Sequence, residues 1–433
     1  VGGDGNDVTI QYDGFFVFID GSGNLVINDT FGTDDAVTIQ SDATNMRFVI
    51  SHTTENIGNL APNGTGGGTM TAYVPYSDVT GSQIIANLGG GDDSLNVDYT
   101  LGGASGVVFG KSITLNGGET AEDGGGDKLF ITGNTAAAKI ASGAYTPGTT
   151  PEAGQHVLTL SAGGTETISF TQLELSNQVS AIPSYTLTPG GSNDVLTVAA
   201  ESLTGSIDAA TITGTTDLVA ITPITFYDVT SFTIDTGAND TNGTGEGNDS
   251  VTVTTAVLRD GFDLVRNLEN FSVDTGAAGT GNVDSFNNVN GLIDVPGFVS
   301  INNAETVDLS TIFAGTDLTI SNVATEIDLP YNGILEARNG DLNLNTNVTL
   351  IDLSGVNGTN QFFARDTDAS GDGNVSLGPI SDSGTPTKVL VTADNAVAMT
   401  STDVQSTIEI LANQDATGTQ GFSHTGTIAT TND

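Results

Sequence analysis

Acidic residues placed between glycines and short β-prone runs are the chemistry-bearing feature of this sequence. GGDGNDVTI from Gly2, GTDDAVTI from Gly32, GGGDDSLNV from Gly89 and GGGDKLFI from Gly124 share one form. GGSNDVLTV from Gly190, GEGNDSVTV from Gly245 and GNVDSFNNV from Gly281 repeat it. The pivotal acids are Asp7, Asp35, Asp93, Asp127, Asp194, Asp249 and Asp284. Carboxylates beside Gly turns are hard oxygen ligands, and the chemistry they suggest is Ca²⁺ coordination. An amide or acid also closes the strand before several loops: Asn87, Asn116, Asp235 and Asp274. If the flanking strands lie side by side, Asn87 meets Asp93, Asn116 meets Asp127, Asp235 meets Asp249 and Asp274 meets Asp284. With Asp4, Asp7, Asp35 and Asp92 these form the candidate calcium set. The competing reading gives each Asp or Asn an Asx-turn bond to its own loop.

Short strands must hold these residues. Thr, Val, Ile and Phe alternate with polar residues over four to six positions before Gly, Asn or Asp interrupts, which predicts β-structure throughout. Residues 15–27 predict a hairpin turning at Asp20-Gly21-Ser22-Gly23-Asn24. Residues 61–69 and 142–155 read as longer loops, the second a projecting arm with Pro147 and Pro151. Residues 401–411 fit either a short helix or a strand.

A strand–loop–strand unit of about 30 residues cannot close a core alone, whereas stacked units bury their inward side chains against one another. The expected fold is all-β, an elongated parallel β-helix or β-solenoid with irregular repeats of roughly 25–30 residues. Tandem antiparallel β-sandwich domains are the alternative. The expected division is 1–75 as an N-terminal β segment whose hairpin caps or joins, 76–378 as the repeat solenoid, and 379–433 as a C-terminal β segment. The chain opens inside a repeat and is expected to be a piece of a longer precursor.

The 433 residues include 9 Lys and Arg against 52 Asp and Glu, a net charge of −43. Of the acids 39 are Asp and 13 Glu, so the acidity belongs to turns more than to helices. Nucleic acid is not an expected partner, since phosphate binding needs clustered cations. Membrane insertion is not expected either, for no run of 18 apolar residues exists. His52, His156 and His424 form no catalytic or metal pattern and read as surface or loop residues. Phe362 and Phe363 beside Arg365, and Phe15, Phe16 and Phe18, read as core or subunit contact. The chain is not expected to be an enzyme.

The loops around Asp93 (Gly89, Gly91, Asp93, Leu95) and Asp249 (Gly245, Gly247, Asp249, Val251) resemble the calcium-binding nonapeptides of RTX proteins, as does the opening Gly2, Gly3, Gly5 and Asp7. The copies here are single, whereas the RTX roll needs tandem ones. As a whole the chain resembles Gly/Thr/Asp-rich β-strand-repeat proteins of bacterial surfaces, of the filamentous adhesin, fibre or S-layer type. That resemblance implies an extracellular, cell-surface structural role. The expected assembly is a homopolymer made with copies of itself through β edges or strand exchange. Alternatives are a monomeric adhesin or carbohydrate-binding protein that takes surface glycans, and a β-helix polysaccharide-degrading enzyme.

Overall fold

Apolar residues at every second position give strands with one face to bury, and the chain answers by stacking such strands in parallel. The computed structural model describes residues 14–430, except 31, 102–108, 119–124, 135–138, 205–206, 240–246, 255–256, 260–264, 277–282, 331, 355–357, 366–372, 384–387, 405–406, 413–420 and 427. Among the described residues there is no α-helix, only strands and two short 3₁₀ turns. Two compact units form. One comprises Val1–Lys139 with Leu160–Asn177, the other Ile140–Thr159 with Gln178–Asp433.

In the first unit, Phe16–Ile19 and Leu25–Asn28 make the expected antiparallel hairpin. Asp20 Oδ1 closes its turn by accepting from the N–H groups of Ser22 and Asn24, both at 2.8 Å. Val17, Leu25 and Ile27 are buried within this unit. Leu25–Asn28 then pairs in parallel with Gln83–Asn87, which pairs with Ser112–Asn116, which pairs with Thr165–Thr171. A second stack joins Ala36–Asp42, Ser94–Asp98 and Lys128–Thr132 in parallel. Antiparallel strands Arg47–His52 and Thr71–Pro75 extend its other side.

The second unit is a three-sided coil. From Ser231 onward the strands fall in turn on a first, a second and a third sheet, all parallel. Phe232, Phe271, Val299, Leu318 and Leu342 stack in register inside the first sheet. Val251, Phe286, Val307 and Ile327 do so inside the second, and Ile293, Ile312, Leu335 and Phe362 inside the third. All of these are at most 1% exposed. Tandem antiparallel sandwiches are therefore displaced by the solenoid. Antiparallel strands interrupt the parallel stacking in the excursion of Asp194–Leu203 with Ile207–Thr216 and Ile224–Tyr227. Parallel pairing continues past residue 378 through Ile380–Ser381, Thr402–Val404 and Thr407–Leu411, so the described part of 402–411 is strand.

Two expectations fail. Residues 142–155 are not a projecting arm. Strands Ile140–Pro147 and Gly154–Leu160 occupy them, joined by a turn in which Gly148 N–H donates to Ala153 O. Alternation of Gly143, Tyr145 and Pro147 with outward residues carries the strand through, and Pro stands at its end where no ladder bond is lost. The repeat length is also less regular than 25–30, since ladder contacts step by 19 to 55 residues in the second unit.

Gly-rich corners allow the turns to stack at strand spacing. A Cβ on Gly118, whose φ is +132°, would lie 1.3 Å from Gly89 O, whereas a Cβ on Gly21 would meet nothing within 4 Å. Gly118→Ala is expected to cost about 2–3 kcal/mol, seen as a lower thermal midpoint, while Gly21→Ala stays within about 0.5 kcal/mol. Equal midpoints for the two variants would contradict close stacking of the corners.

Candidate functional site

Each described pivotal acid directly precedes or begins a strand, of the second stack in the first unit or of the second sheet in the second, in phase with the inward residues. Asp35 precedes inward Val37, Asp93 precedes Leu95, Asp127 precedes Leu129, and Asp249 precedes Val251. Period-2 geometry therefore drives their carboxyls inside. Asp35, Asp93 and Asp127 are 1% exposed, Asp194 and Asp249 0%, and Asp284 3%.

The carboxyls meet along the stack. Asp35 N–H donates to Asp93 Oδ1 at 2.7 Å, Asp93 N–H to Asp127 Oδ1 at 2.8 Å, and Asp127 N–H to Glu174 Oε2 at 3.3 Å. In the second unit Asp194 N–H donates to Asp249 Oδ1 at 2.9 Å and Asp249 N–H to Asp284 Oδ1 at 3.0 Å. The sequence separations of 58, 34, 55 and 35 between successive acids are thus single steps of the coil. His52 caps the first column. Its Nδ1 accepts from the N–H groups of Thr54 and Glu55, which leaves the proton on Nε2 to donate to Asp35 Oδ1 at 2.7 Å. His52 and His156 are buried, not surface residues as their isolation in sequence suggested. His156 is held down to about 3 by burial and sits against the Tyr185 hydroxyl and the Tyr145 ring.

Burial raises the carboxyls. Asp93 is pushed up to about 8, first by burial and then by Asp127, Asp35 and Asp29, against the opposing Asp35 N–H. Asp35 is raised by burial, eased by its bond to His52, and Asp249 is raised by burial against Thr236 and the Asp194 N–H. Oδ2 of Asp35 and of Asp93 are buried and accept no hydrogen bond. With Asp93 pushed up to about 8, its neutral form removes that charge from the buried column at neutral pH. Calcium requires six to eight converging oxygens. Among the described residues no group of three or more His, Asp or Glu side chains is placed to hold a metal ion.

The other candidates lie elsewhere. Asn87 and Asn116 stand on the outer face of the first unit, where Asn87 Nδ2 donates to Asn28 Oδ1 at 3.4 Å and Asn116 Nδ2 to Asn87 Oδ1 at 2.5 Å. Asp92 accepts the N–H groups of Gly125 and Gly126 and donates its own to Asp34 Oδ1. Asp235 and Asp274 are register partners on the outer face of the first sheet, and burial with the Asp274 charge raises Asp235. Bonds thus run from turn to turn along the stack, joining Asp93 to Asp127 and Asn87 to Asn116. Asp4 and Asp7 lie outside the described residues.

Sequence reasoning missed a second ladder. Asn303 Nδ2 donates to Asp274 Oδ1 at 2.8 Å, Asn322 Nδ2 to Asn303 Oδ1 at 2.9 Å, and Asn347 Nδ2 to Asn322 Oδ1 at 2.7 Å. All three Asn have φ between 54° and 60°, the left-handed region that Asn tolerates best after Gly. Aligning the first-sheet strands in register would have revealed them.

Against protein families, curated proteins and solved structures, the chain has no match.

The column sets a pH dependence. Folded Asp93 keeps its proton to about 8, while the unfolded carboxyl loses it near 3.8. Its stabilising contribution is complete below the unfolded value and falls as pH rises toward 8, by at most about 1.4 kcal/mol per pH unit. The thermal midpoint is expected to rise on acidification from pH 8 to 5. Asp93→Asn should flatten that profile and match or exceed the parent at pH 8. An Asn variant less stable than the parent at every pH would show that the carboxylate is ionised in the fold.

Proposed function

We propose that the chain is a non-enzymatic structural protein of a bacterial surface, a subunit of an extracellular fibre or layer. The supporting observation is where its reactive side chains are spent: buried acids bond to one another along the coil, and Asn303, Asn322 and Asn347 bond in series. Such wiring makes a stiff, in-register scaffold. Parallel coils also suit joining through β edges or an exchanged strand, because backbone donors and acceptors at a strand edge recruit further strands. Calcium belongs to this reading as a counter-charge between copies, since chains of −43 repel each other and divalent cations at exposed acids relieve that repulsion.

A second reading, a monomeric carbohydrate-binding surface protein, is favoured by Phe313 and Phe363, which stand on an outer face beside Arg338 and Arg365.

Negative-stain microscopy of the chain with calcium and with a chelator is the test. Filaments or sheets that shorten or disperse on chelation are expected. Isolated particles under both conditions would overturn the assembly reading, and assemblies indifferent to chelator would remove calcium from it.

A further inference from the structure

The three outer faces of the second unit differ in chemistry. The first sheet carries a column of Thr186, Thr233, Ser272, Ser300 and Thr319. On the second, Asp308, Asp328 and Asp352 stack in register. The third differs from both: its outward column runs Asp294, Phe313, Glu336 and Phe363 on successive strands. Arg338 reaches across the Phe313 ring, 4.6 Å from its centroid, to Asp294 Oδ1 at 2.6 Å. Arg365 lies 5.5 Å from the Phe363 centroid and bonds Glu336 Oε1 at 2.5 Å. Lys388 pairs with Glu409 on the same sheet. Among the described side chains of this face, Arg338, Arg365 and Lys388 are thus each matched by an acid.

From these observations we infer that the third-sheet face docks a second copy of this chain. The inference rests on the structural reading above and deepens it by naming a lateral contact. Charge selects the occupant. A chain of −43 repels its own copies wherever acids are uncompensated, and on this face Asp294, Glu336 and Glu409 are each paired with a cation. The signs also alternate along the column: acid at Asp294, cation over Phe313, acid at Glu336, cation beside Phe363. Reversing such a column sets each cation opposite an acid, so the face is self-complementary under a two-fold axis, as isologous dimers require. With the axis between the Phe313 and Glu336 strands, Arg365 of the second copy faces Asp294. Its Phe363 then faces the open depression of about 500 Å³ bordered by Leu292, Thr311 and Phe313. Six strands of four to six residues span about 24 Å by about 13–20 Å, about 300–480 Å² per partner, the scale of a weak, reversible contact. Aromatic and Arg residues at the centre are the residue types that dominate such contacts.

Sedimentation velocity over a concentration series of the full chain, with Phe363→Ser and Arg365→Glu, tests this. Both side chains point outward, and unchanged circular dichroism and thermal midpoints establish that the variants fold. The parent is expected to dimerise, and each variant to weaken that dimer at least about tenfold. A parent that associates while both variants associate equally overturns this face and leaves the structural reading standing. A parent that forms end-to-end filaments without lateral pairing does the same. A parent that stays monomeric and forms no filaments overturns both. Monomeric parent that binds an acidic glycan on an array, with binding lost in Phe363→Ser, assigns the face to carbohydrate and overturns self-docking.

Discussion

In-register parallel stacking is the constraint from which the rest of this structure follows. When each strand lies on the next at about 4.8 Å, a residue at one position of a turn meets its counterpart one turn away. For Val, Ile, Leu and Phe this is favourable, and the inner columns are continuous hydrocarbon. For a charged residue it is costly, because like charges one strand apart repel in a poorly hydrated setting. The chain meets that problem differently at each polar column. Inside, Asp carboxyls take the backbone N–H of the neighbouring turn and are pushed toward their neutral form. At the corner, Asn replaces the acid and acts as donor and acceptor at once. On the third sheet, acids alternate with cations laid over aromatic rings. The second sheet leaves Asp308, Asp328 and Asp352 in register, where burial and the neighbouring acid raise both Asp308 and Asp328.

Much of this was legible in the sequence, because the signals were local. Gly followed by an acid and an alternating run marks a corner and the strand after it, so Asp35, Asp93, Asp127, Asp194, Asp249 and Asp284 were found at the turns where they sit. The hairpin Phe16–Ile19 with Leu25–Asn28 was legible from Asp20-Gly21-Ser22-Gly23 between apolar runs. What a sequence does not state is which turn lies upon which. The acids were therefore paired across each loop, whereas the bonds run from turn to turn. His52 and Glu174 escaped notice as the ends of the first column because neither follows the Gly–Asp signature. His52 arrives from an antiparallel strand and Glu174 from a turn. Asn303, Asn322 and Asn347 were hidden among many Asn, since separations of 19 and 25 acquire meaning only with the register known.

The ladder geometry also separates two roles that acidity plays here. Outer acids keep the coil hydrated and repel other chains, while inner acids behave as polar spacers whose backbone contacts fix the height of each turn. Burying a lone ionised carboxylate would cost several kcal/mol, so the inner ladder is tolerable only because protonation and N–H donors offset that cost. The proton that Asp93 keeps to about 8 takes one charge from the formal count at neutral pH.

One turn of the coil spans 19 residues between Asn303 and Asn322, and another spans 35 between Asp249 and Asp284. The strands on either side stay in register regardless, so the added residues are absorbed entirely at corners. A change of length that would ruin a globular core is thereby local and nearly free. Such a coil is therefore a chassis on which the lengths of its corners can vary. Corner loops can lengthen, shrink or diverge between generations while the stacked core is inherited unaltered.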